Sequence, residues 1–550
     1  MRLFFYIIFT VCCGSIVHGQ TSDLPVGHHL YGLHLKQTTL SGTRSFTTVK
    51  PFGRDRLLTI LADSARKNEV KQFNAAQAAI EFWDLGAPDY GARTPMLKWF
   101  YQQKSNFYSY QGDDLIFHIN PVWDLQVGSD NTNEKLVFVN GRGLELSGTI
   151  DERVSFYSFF TENQAEYPTY VKNVADSIGV IPLEGFWKEY GETTTDYFRV
   201  FGHVNVQWTD HIQSQLGYGR QFIGNGERSL FLSDFSNSHP YLRNSIEVWR
   251  IKYTNSLSKL TADVFTYYGG NLGSKDYPNK FLNFHYVDFA ITDNFNLGIF
   301  ESVMYGRADS LGGSRPKMEY QVPFTFLRAV EQQDGSTDNS LLGLEAKLNV
   351  MNRGALYGQF VLDDFSISEL KSGNNWWGNK FGYQIGAHIY DLPIENFDIQ
   401  VERNWIRPFT YAHENLLSAQ THYLQPLAHP MGANLKEWII RANYQPIPRL
   451  TADILVLMNK SGSDVADSVS FGSNPLKSYN LRQQEYGHEI GQGLTAELFL
   501  TQSTFSYQLF HNFFIDLSIK YRVVNGANSG KSTILTGGFR WNAVRRNYLF

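Results

Sequence analysis

The sequence has 550 residues, 15% of them aromatic, a slightly negative mean hydropathy and a formal net charge of −5 at pH 7. Such a mildly acidic chain lacks the basic surface that nucleic-acid recognition requires, so we expect no nucleic-acid partner. Beyond the N-terminal segment, no stretch approaches the roughly 18 consecutive apolar residues of a membrane-spanning helix. The length far exceeds what one small core needs.

The N-terminus has the pattern of a secretory signal peptide. Arg2 supplies the positive charge, residues 3–17 form a short apolar run, and small or compact residues follow. We therefore predict a cleaved signal over residues 1–19, which changes the net charge from −5 to −6 because one arginine leaves. Both cysteines, Cys12 and Cys13, lie inside this segment, so we expect no disulfide or thiol chemistry in the mature chain.

Helical periodicity marks the next part of the chain. The two apolar stripes are Leu57, Leu58, Leu61 and Ala65, and then Phe73, Ala76, Ile80 and Trp83. A third, short helix is predicted from Pro95 to Tyr101, with proline in its first turn. We predict a small helical unit within residues 20–110 that packs against the rest of the protein.

From about residue 111 the apolar period changes to two. In residues 198–208, Phe198, Val200 and Val204 alternate with more polar residues such as Arg199 and Asn205. Similar runs recur near residues 135–150, 259–268, 281–291, 295–304, 341–350, 354–363, 381–389, 397–404, 437–445, 450–458, 489–500, 515–523 and 532–541. Many of them match the roughly 9–11 residues that a tilted strand needs to cross a bilayer.

These runs predict an all-β transmembrane β-barrel over residues 111–550. Lipid tolerates strands only in closed barrels, because every backbone donor must be paired. A soluble sandwich or propeller could also alternate, but it would not need so many long runs with one wholly apolar face. No repeat of about 40–50 residues is visible, which argues against a propeller.

Connections of two length classes support the same prediction. Short turns are predicted at Asn255-Ser256 and at residues 352–354. Long connections are predicted at residues 161–195, 220–243, 306–338, 365–379, 406–434 and 460–487. Outer-membrane barrels place short turns in the periplasm and long loops outside, so we expect the cell outer membrane as the location and its lipid as a partner. The final residue, Phe550, resembles the terminal aromatic by which such barrels are recognised for insertion.

One stretch resembles the signature of a known family. Residues 220–234, RQFIGNGERSLFLSD, resemble the signature of the Wzi capsule-assembly family, with Gln221-Phe222 and Asn225 departing from its enterobacterial pattern. Further segments are similar to the branch of that family in gliding bacteria, which includes the RemB motility proteins. They are residues 331–344, 356–359, 363–364, 376–380, 407–413 and 421–434.

This resemblance implies an outer-membrane barrel of about 18 antiparallel strands with an N-terminal periplasmic helical bundle. In the Wzi family, such a barrel acts as a surface lectin that ties capsular polysaccharide to the cell. In the gliding branch, the role involves surface motility. The resemblance therefore implies surface polysaccharide, or a motility or other surface protein, as the partner.

A sugar site needs planar polar groups and aromatic faces. The polar candidates are Arg220, Asn225, Arg228, Asp234 and Asn237, and the aromatic candidates are Trp376, Trp377, Tyr411 and Tyr423. The alternative for each residue is that it braces loops inside the barrel lumen. Both interpretations remain open at this stage.

Other chemistry has weaker support in the sequence. The carboxylates of Asp363, Asp364 and Glu402 lie near strand ends and could act as a hydrolytic pair, but lumenal salt bridges are the favoured use. Residues His413, His422 and His429 share one loop, but their spacings of nine and seven match no metal motif. No phosphate loop or nucleophile elbow occurs, so we predict no catalytic residue, metal or cofactor.

The leading hypothesis is therefore a non-enzymatic, lectin-like barrel that binds, anchors or helps assemble surface polysaccharide. The second is a gliding-motility or adhesion scaffold whose long loops dock another surface protein. An outer-membrane enzyme and a pore are more distant alternatives.

Overall fold

The computed structural model describes residues 22–65, 68–85, 100–191, 193–262, 266–267, 275–276, 278–306 and 315–550. The predicted signal peptide and nearly all of the third predicted helix lie outside these ranges. Eighteen long antiparallel strands, numbered β1 to β18 in chain order, close into one barrel through pairing of β18 with β1. Each strand otherwise pairs with its neighbours in sequence, which confirms the predicted strand number and class.

The barrel strands have the following bounds. Strands β1 to β6 are Leu115–Asp130, Asn133–Ile150, Val154–Glu166, Thr194–Thr209, Ile212–Gly219 and His239–Val248. Strands β7 to β12 are Ile251–Thr261, Asn279–Thr292, Phe295–Tyr305, Asn339–Val350, Gly354–Asp364 and Lys380–Ile389. Strands β13 to β18 are Phe397–Ile406, Leu435–Ile447, Leu450–Ser463, Leu494–Phe510, Phe513–Gly526 and Gly530–Trp541.

The structure also contains short strands and helices in addition to the 18 barrel strands. Three two-stranded ribbons pair Val49–Lys50 with Phe222–Ile223, Thr266–Tyr267 with Lys275–Asp276, and Thr421–His422 with Gln425–Pro426. Tyr108–Gln111 extends along β1, and Lys188–Tyr190 extends along β4. Helices α1 to α5 are Leu30–Ser41, Glu69–Glu81, Thr169–Ile178, Leu327–Asp334 and Ile367–Ser372. The 3₁₀ helices are Arg54–Ala65, Trp83–Leu85, Met318–Gln321, Leu416–Ser418 and Tyr479–Leu481. Within the described ranges, no helix has the length and apolar character to cross a membrane.

Side chains alternate between lipid and lumen as the sequence predicts. On β4, Phe198 and Val204 point outward and are 64% and 42% exposed, whereas His203 and Asn205 are buried inside the barrel. Large apolar side chains are exposed in the same way on strands all around the barrel. Because an outward apolar band suits lipid, this arrangement confirms a transmembrane barrel.

The two ends of the barrel differ in their connections. One end carries turns such as residues 249–250, 293–294 and 448–449, and the other carries nearly all the long connections. The predicted turn at Asn255-Ser256 is wrong, because both residues lie within β7 and pair with β6 and β8. Ser256 is buried on the lumenal side, where a polar residue does not interrupt a strand.

The N-terminal helices cover the short-turn end. Lys36 bonds Asp398 at 2.8 Å and Lys71 bonds Asp391 at 2.7 Å, on or beside the turn between β12 and β13. Glu81 of α2 accepts from His511 in the turn between β16 and β17 at 2.8 Å. These contacts hold the helical unit against the end where short turns predict the periplasm.

The packing face of α2 differs from the predicted stripe. Its buried side chains include Val70, Ala75, Ala78 and Ala79, whereas Phe73 is only half-buried. Small residues suit the close approach of the 3₁₀ helix Arg54–Ala65. A stripe of large apolar residues therefore predicted the helix correctly and its buried face incorrectly.

The last nine residues turn back into the lumen. After β18 ends at Trp541, Leu549 packs on an apolar section of the inner wall, and Phe550 contacts Tyr170 and Phe235. We call residues 542–550 the lumenal tail. The final aromatic residue thus lies inside the barrel, and Trp541 is the aromatic residue that ends the last strand.

Candidate functional site

The connection between β5 and β6, residues 220–238, crosses the lumen. We call it the crossing loop. Its apolar residues Leu230, Phe231 and Leu232 are buried in one cluster with Phe284 and Phe300 of the inner wall. Phe231 stacks on Phe300 with ring centroids 4.7 Å apart. The loop predicted to be functional is therefore anchored inside the barrel.

Local chemistry sets the course of this loop. The Ser229 hydroxyl donates to the Ile223 carbonyl at 2.5 Å and accepts from the amides of Phe231 and Leu232. The serine hydroxyl thus takes the place of backbone hydrogen-bond partners in this turn. A β-carbon at Gly226 would overlap the Glu402 carboxylate, so only glycine allows this close approach.

Two lumenal carboxylates hold the middle of the loop. Glu402 of β13 accepts the amides of Glu227 and Arg228 at 2.7 and 3.1 Å. Glu437 of β14 receives the Arg228 guanidinium in two bonds of 3.1 and 3.0 Å. Burial alone would lower the pKa of Arg228, but the Glu437 carboxylate outweighs burial and raises that pKa.

Arg228 also connects the loop to the lumenal tail. Its Nη2 donates to the Leu549 carbonyl at 2.6 Å, and His429 contacts the same Glu437 carboxylate at 3.0 Å. Asn225 donates to Glu345 of β10 at 2.6 Å. Asn225 and Arg228 therefore brace the lumen, the second of the two uses that the sequence left open.

Arg220 lies at the start of the crossing loop beside a second buried carboxylate. Its Nη2 bonds Glu184 at 3.1 Å and also contacts the Leu183 carbonyl. Arg199 of β4 approaches Glu184 at 3.6 Å. Burial would raise the pKa of Glu184, but the two arginines outweigh burial and lower that pKa. The Nε atoms of both arginines are buried and have no hydrogen-bond partner.

A cavity of about 640 Å³ lies between the crossing loop, the lumenal tail and the N-terminal helices. Four predicted site residues line it, namely Arg220, Asn225, Arg228 and Asp234. Further arginines line it as well: Arg199, Arg441, Arg540, Arg545 and Arg546. The volume is within the usual range of about 300–1,000 Å³ for small-molecule sites.

The cavity presents unsatisfied polar groups. Within the described ranges, the half-buried Asp234 carboxylate makes no side-chain hydrogen bond or ion pair. The Nε atoms of Arg220 and Arg545 are buried and make no hydrogen bond. Those of Arg199 and Arg546 make none either, although they lie 3.6 and 3.9 Å from the carboxylates of Glu184 and Asp124. Such groups usually have a water, an ion or a ligand as partner. Aromatic side chains, including Phe201 and Phe235, supply apolar wall beside them.

The remaining predicted sugar-binding residues lie elsewhere. Asn237 and Tyr423 meet beside Gly185, where Tyr423 packs on Phe186 with ring centroids 4.7 Å apart. Tyr411 is fully buried and donates to the Leu230 carbonyl at 3.0 Å. Tyr411 therefore supports the crossing loop and has no ring face free for a sugar, contrary to its assignment from sequence.

Trp376 and Trp377 form a separate cluster on the connection between β11 and β12. The Trp377 indole donates to Glu485 at 2.7 Å, and the Arg482 guanidinium lies 4.1 Å from its ring centroid. Tyr479 packs on the same ring at 4.8 Å. Both tryptophans are half-buried, and neither lines the lumenal cavity.

The carboxylates considered for hydrolysis are engaged in salt bridges and backbone contacts. Asp363 and Asp364 bond the same Lys380 at 3.0 and 2.8 Å, because a bulge near the end of β11 lets adjacent residues reach one side. The three histidines have separate partners: His413 contacts Asn415, His422 contacts Thr261 and His429 contacts Glu437. No group of three or more metal-binding side chains occurs in the described part of the chain.

Sequence reasoning missed the wall residues that receive the crossing loop. They are Glu345 on β10, Gln359 on β11, Gln384 on β12 and Glu437 on β14, and Asn404 on β13 donates to this Glu437 at 3.1 Å. All five are buried at lumenal positions of five consecutive strands. The available signal in the sequence was that these residues are polar at the lumenal positions of the two-residue alternation. That polarity fits a water-filled lumen equally well, so it does not by itself identify the loop that these residues bind.

Comparison with known proteins found no matching family model and no matching curated protein. Among solved structures, Wzi from Escherichia coli is 12% identical with a TM-score of 0.57, over 96% of this chain and 100% of that one. That protein is described as a carbohydrate-binding β-barrel involved in group 1 capsule assembly. OprD from Pseudomonas aeruginosa is 11% identical over 76% of this chain and 94% of that one, with a TM-score of 0.42. OccAB4 from Acinetobacter baumannii is 10% identical over 78% and 98%, with a TM-score of 0.43. The likeness to Wzi shows that this chain has a Wzi-like outer-membrane barrel fold.

Proposed function

We propose that this protein binds surface polysaccharide in the lumenal cavity and thereby anchors or helps assemble it at the cell surface, without catalysis. The observation that carries this proposal is the cavity itself, which combines an Asp234 carboxylate without a hydrogen-bond partner with buried arginine Nε donors that make no hydrogen bond. Its volume of about 640 Å³ suits a few sugar units of a longer chain.

The lining has the chemistry that sugars require. Guanidinium groups such as Arg220 donate in a planar fork to neighbouring hydroxyl or carboxylate oxygens, and Asp234 accepts from hydroxyl groups. Phe201 and Phe235 offer apolar faces to the C–H side of a sugar ring. Carbohydrate binding by the Wzi barrel, which has the same fold, supports this assignment.

A non-enzymatic role agrees with the partners of the carboxylates. Glu402 and Glu437 receive donors from the crossing loop, and Asp363 and Asp364 hold Lys380. A hydrolytic pair needs one carboxyl group free to donate a proton and another free to attack or activate water. These four carboxylates are committed to structural contacts instead.

The test is binding of the purified, detergent-solubilised chain to polysaccharide from its own cell surface. We expect saturable binding, weakened about tenfold or more in Asp234→Asn, since a charged acceptor contributes about 1.5–3 kcal/mol. The double variant Arg220→Ala, Asp234→Ala should lose binding. The matched control is Asp467→Asn, because that carboxylate is fully exposed on an outer connection.

The outcomes separate the alternatives. Native-like affinity in Asp234→Asn would move the site away from the cavity, and the Asn237, Phe186 and Tyr423 cluster would be substituted next. Unchanged glycan after prolonged incubation is expected of a binding protein. Release of shorter fragments by the native chain would contradict the non-enzymatic proposal.

A second candidate function is a motility or adhesion scaffold of the gliding-branch type. It is favoured by exposed aromatic side chains on the long connections, including Phe186, Tyr190 and Tyr486. Aromatic residues of this kind are enriched in protein interfaces. A photo-crosslinking amino acid at position 190 in intact cells should then capture one defined surface protein. Absence of any crosslink, together with normal surface spreading of a deletion strain, would exclude this function.

A further inference from the structure

The outer wall of the barrel carries a polar patch on β8, β9 and β10. On β9, Ile299 is exposed to the outside, and alternation places Glu301 on the same outward side. The neighbouring outward positions on β8 and β10 include Asn283, His285 and Ser340, as their pairing with β9 shows. Polar side chains at such positions are unfavourable in lipid, so the patch requires a cover.

The connection between β9 and β10 supplies this cover. We call residues 315–338 the outer flap; it contains the 3₁₀ helix Met318–Gln321 and α4. Asn283 donates to the Tyr320 carbonyl at 3.0 Å, and His285 donates to the Thr325 carbonyl at 3.1 Å. Glu301 accepts the Leu327 amide at 3.0 Å. The polar side chains of the patch and the backbone of the flap therefore satisfy each other's hydrogen bonds on the outside of the barrel.

Apolar contacts fix the flap in the same place. Tyr320 and Leu327 are fully buried against Phe281, Val303 and Tyr305 of the outer wall. At the upper end, Lys317 bonds Asp338 at 2.7 Å. Because its inner side is fully buried, the flap is packed firmly on the outer wall. Its outer side faces the medium around the barrel, which is lipid or water according to the depth of the flap in the membrane.

The flap descends to the level of the apolar band. Phe324 stacks on Tyr253 of β7 with ring centroids 4.4 Å apart, and its amide donates to the Tyr253 hydroxyl. Tyr253 pairs with Val287, which in turn pairs with Ile299. Ile299 is exposed to lipid, so the tip of the flap lies at a depth where the surrounding wall contacts acyl chains.

The outer side of the flap is apolar at its tip and charged near its ends. Met318, Val322, Phe324 and Phe326 are 76%, 49%, 67% and 77% exposed. No charged residue occurs between Glu319 and Arg328. This distribution resembles that of elements that bury their apolar side in a membrane and keep charges at its surface.

We propose that the outer flap inserts into the acyl-chain layer of the membrane. Its partner is lipid, because the exposed apolar tip is continuous with the lipid-facing band at Ile299 and Leu344. The flap keeps the polar patch dry on its inner side and presents Phe324 and Phe326 to lipid on its outer side. The barrel thus has one lipid-facing sector built from a loop.

The test uses nitroxide labels on single cysteines in the full chain reconstituted in phosphatidylcholine vesicles. Cys12 and Cys13 are the chain's own cysteines, and replacing both gives a cysteine-free background. Labels are placed in Phe324→Cys and Phe326→Cys. The lipid control is Leu344→Cys on the wall, and the water control is Met351→Cys in a short turn.

We expect labels at 324 and 326 to collide frequently with oxygen and rarely with a water-soluble nickel chelate, as at 344. The ratio of the two collision rates should be several-fold higher than at 351. Ready access to the nickel chelate at 324 and 326 would overturn the proposal. Protection from both reagents would also overturn it, because a second copy or another protein would then cover the flap.

Val322→Cys is a control for the possibility that replacing an aromatic residue in Phe324→Cys or Phe326→Cys detaches the flap from the wall. This variant keeps Phe324 and Phe326, so a lipid-inserted flap predicts the same preference for oxygen at position 322. A nickel-accessible label at 322 in a correctly folded barrel would contradict insertion independently of the first two variants.

Discussion

Arg228 shows how a charged side chain becomes part of the barrel interior. Its guanidinium is buried, meets Glu437 in two hydrogen bonds and reaches the Leu549 carbonyl. A buried ion pair adds little when compared with an apolar pair, but removal of one partner leaves an uncompensated charge. The loop, the wall and the tail therefore depend on one another at this residue.

Arg228→Met should destabilise the folded barrel by about 3–5 kcal/mol, because the Glu437 charge is left buried without its partner. Urea unfolding followed by tryptophan fluorescence measures this difference. The double variant Arg228→Met, Glu437→Met should recover most of the stability. Lys172→Met, which removes an exposed pair with Asp176 on α3, should cost less than about 1 kcal/mol. Equal effects of the two single variants would contradict the interpretation.

At the residue scale, the sequence predicted which residue types matter better than it predicted their use. Arg220, Asn225, Arg228 and Asp234 do lie together around one cavity. Asn225 and Arg228 nevertheless hold buried carboxylates. Their partners are more than a hundred residues away in the chain, and sequence periodicity carries no information about such pairings.

The helical unit contains a buried histidine that links its stability to pH. His34 of α1 contacts the Thr59 hydroxyl at 2.8 Å, and burial, with Lys347 and Arg56 nearby, lowers its pKa to about 3. In the unfolded chain a histidine has a pKa of about 6.5, so unfolding takes up a proton below that pH. Stability is therefore complete above pH 6.5 and is lost progressively as the pH falls toward about 3.

At pH 5 this single group should cost the helical unit about 2 kcal/mol relative to pH 7. Thermal melting of the helical circular dichroism signal at both pH values measures the loss. In His34→Gln, which keeps a polar contact for Thr59 without a titrating group, the difference between pH 7 and pH 5 should shrink by that amount. An unchanged pH difference in the variant would show that other groups control this unit.

Elements were predictable where one simple period governs the sequence. Long strands such as β4 and β17 satisfy the two-residue alternation, because lipid and lumen impose opposite requirements on their two sides. In contrast, α1 escaped prediction, since its buried residues include His34, Gln37 and Thr38 and give no apolar stripe. The lumenal tail was also missed, because nine residues without periodicity contain no indication that they fold back.

At the scale of the whole molecule, the lumen is occupied from three directions. The helical unit covers the short-turn end, the crossing loop spans the middle and the lumenal tail lies along the inner wall. We therefore expect the native chain to give no large, stable conductance steps in planar lipid bilayers. Removing residues 22–85 and replacing residues 222–236 with a Gly-Ser linker should together produce such steps, whereas either change alone should not. Porin-like steps from the native chain would contradict this account.

The overall architecture followed from sequence because a barrel obeys a global constraint: all strands must be paired and one face of each must suit lipid. The arrangement of the outer flap could not be foreseen in that way. The length of the 33-residue connection at residues 306–338 predicts an extracellular loop. The polar outward residues on β8 and β9 are the sequence feature that indicates that this connection folds over the outer wall.

The crossing loop has a mechanical consequence. It leaves the wall between β5 and β6, is tied to β10 by Glu345, and is tied to β13 and β14, nearly opposite on the circumference, by Glu402 and Glu437. A hollow tube under sideways load flattens into an ellipse, and an internal strut resists that flattening. If a long polymer is held at the cell surface by this barrel, the drag of flowing liquid on the polymer is carried from one wall to the other through the strut, and the ring of strands keeps its round cross-section under tension.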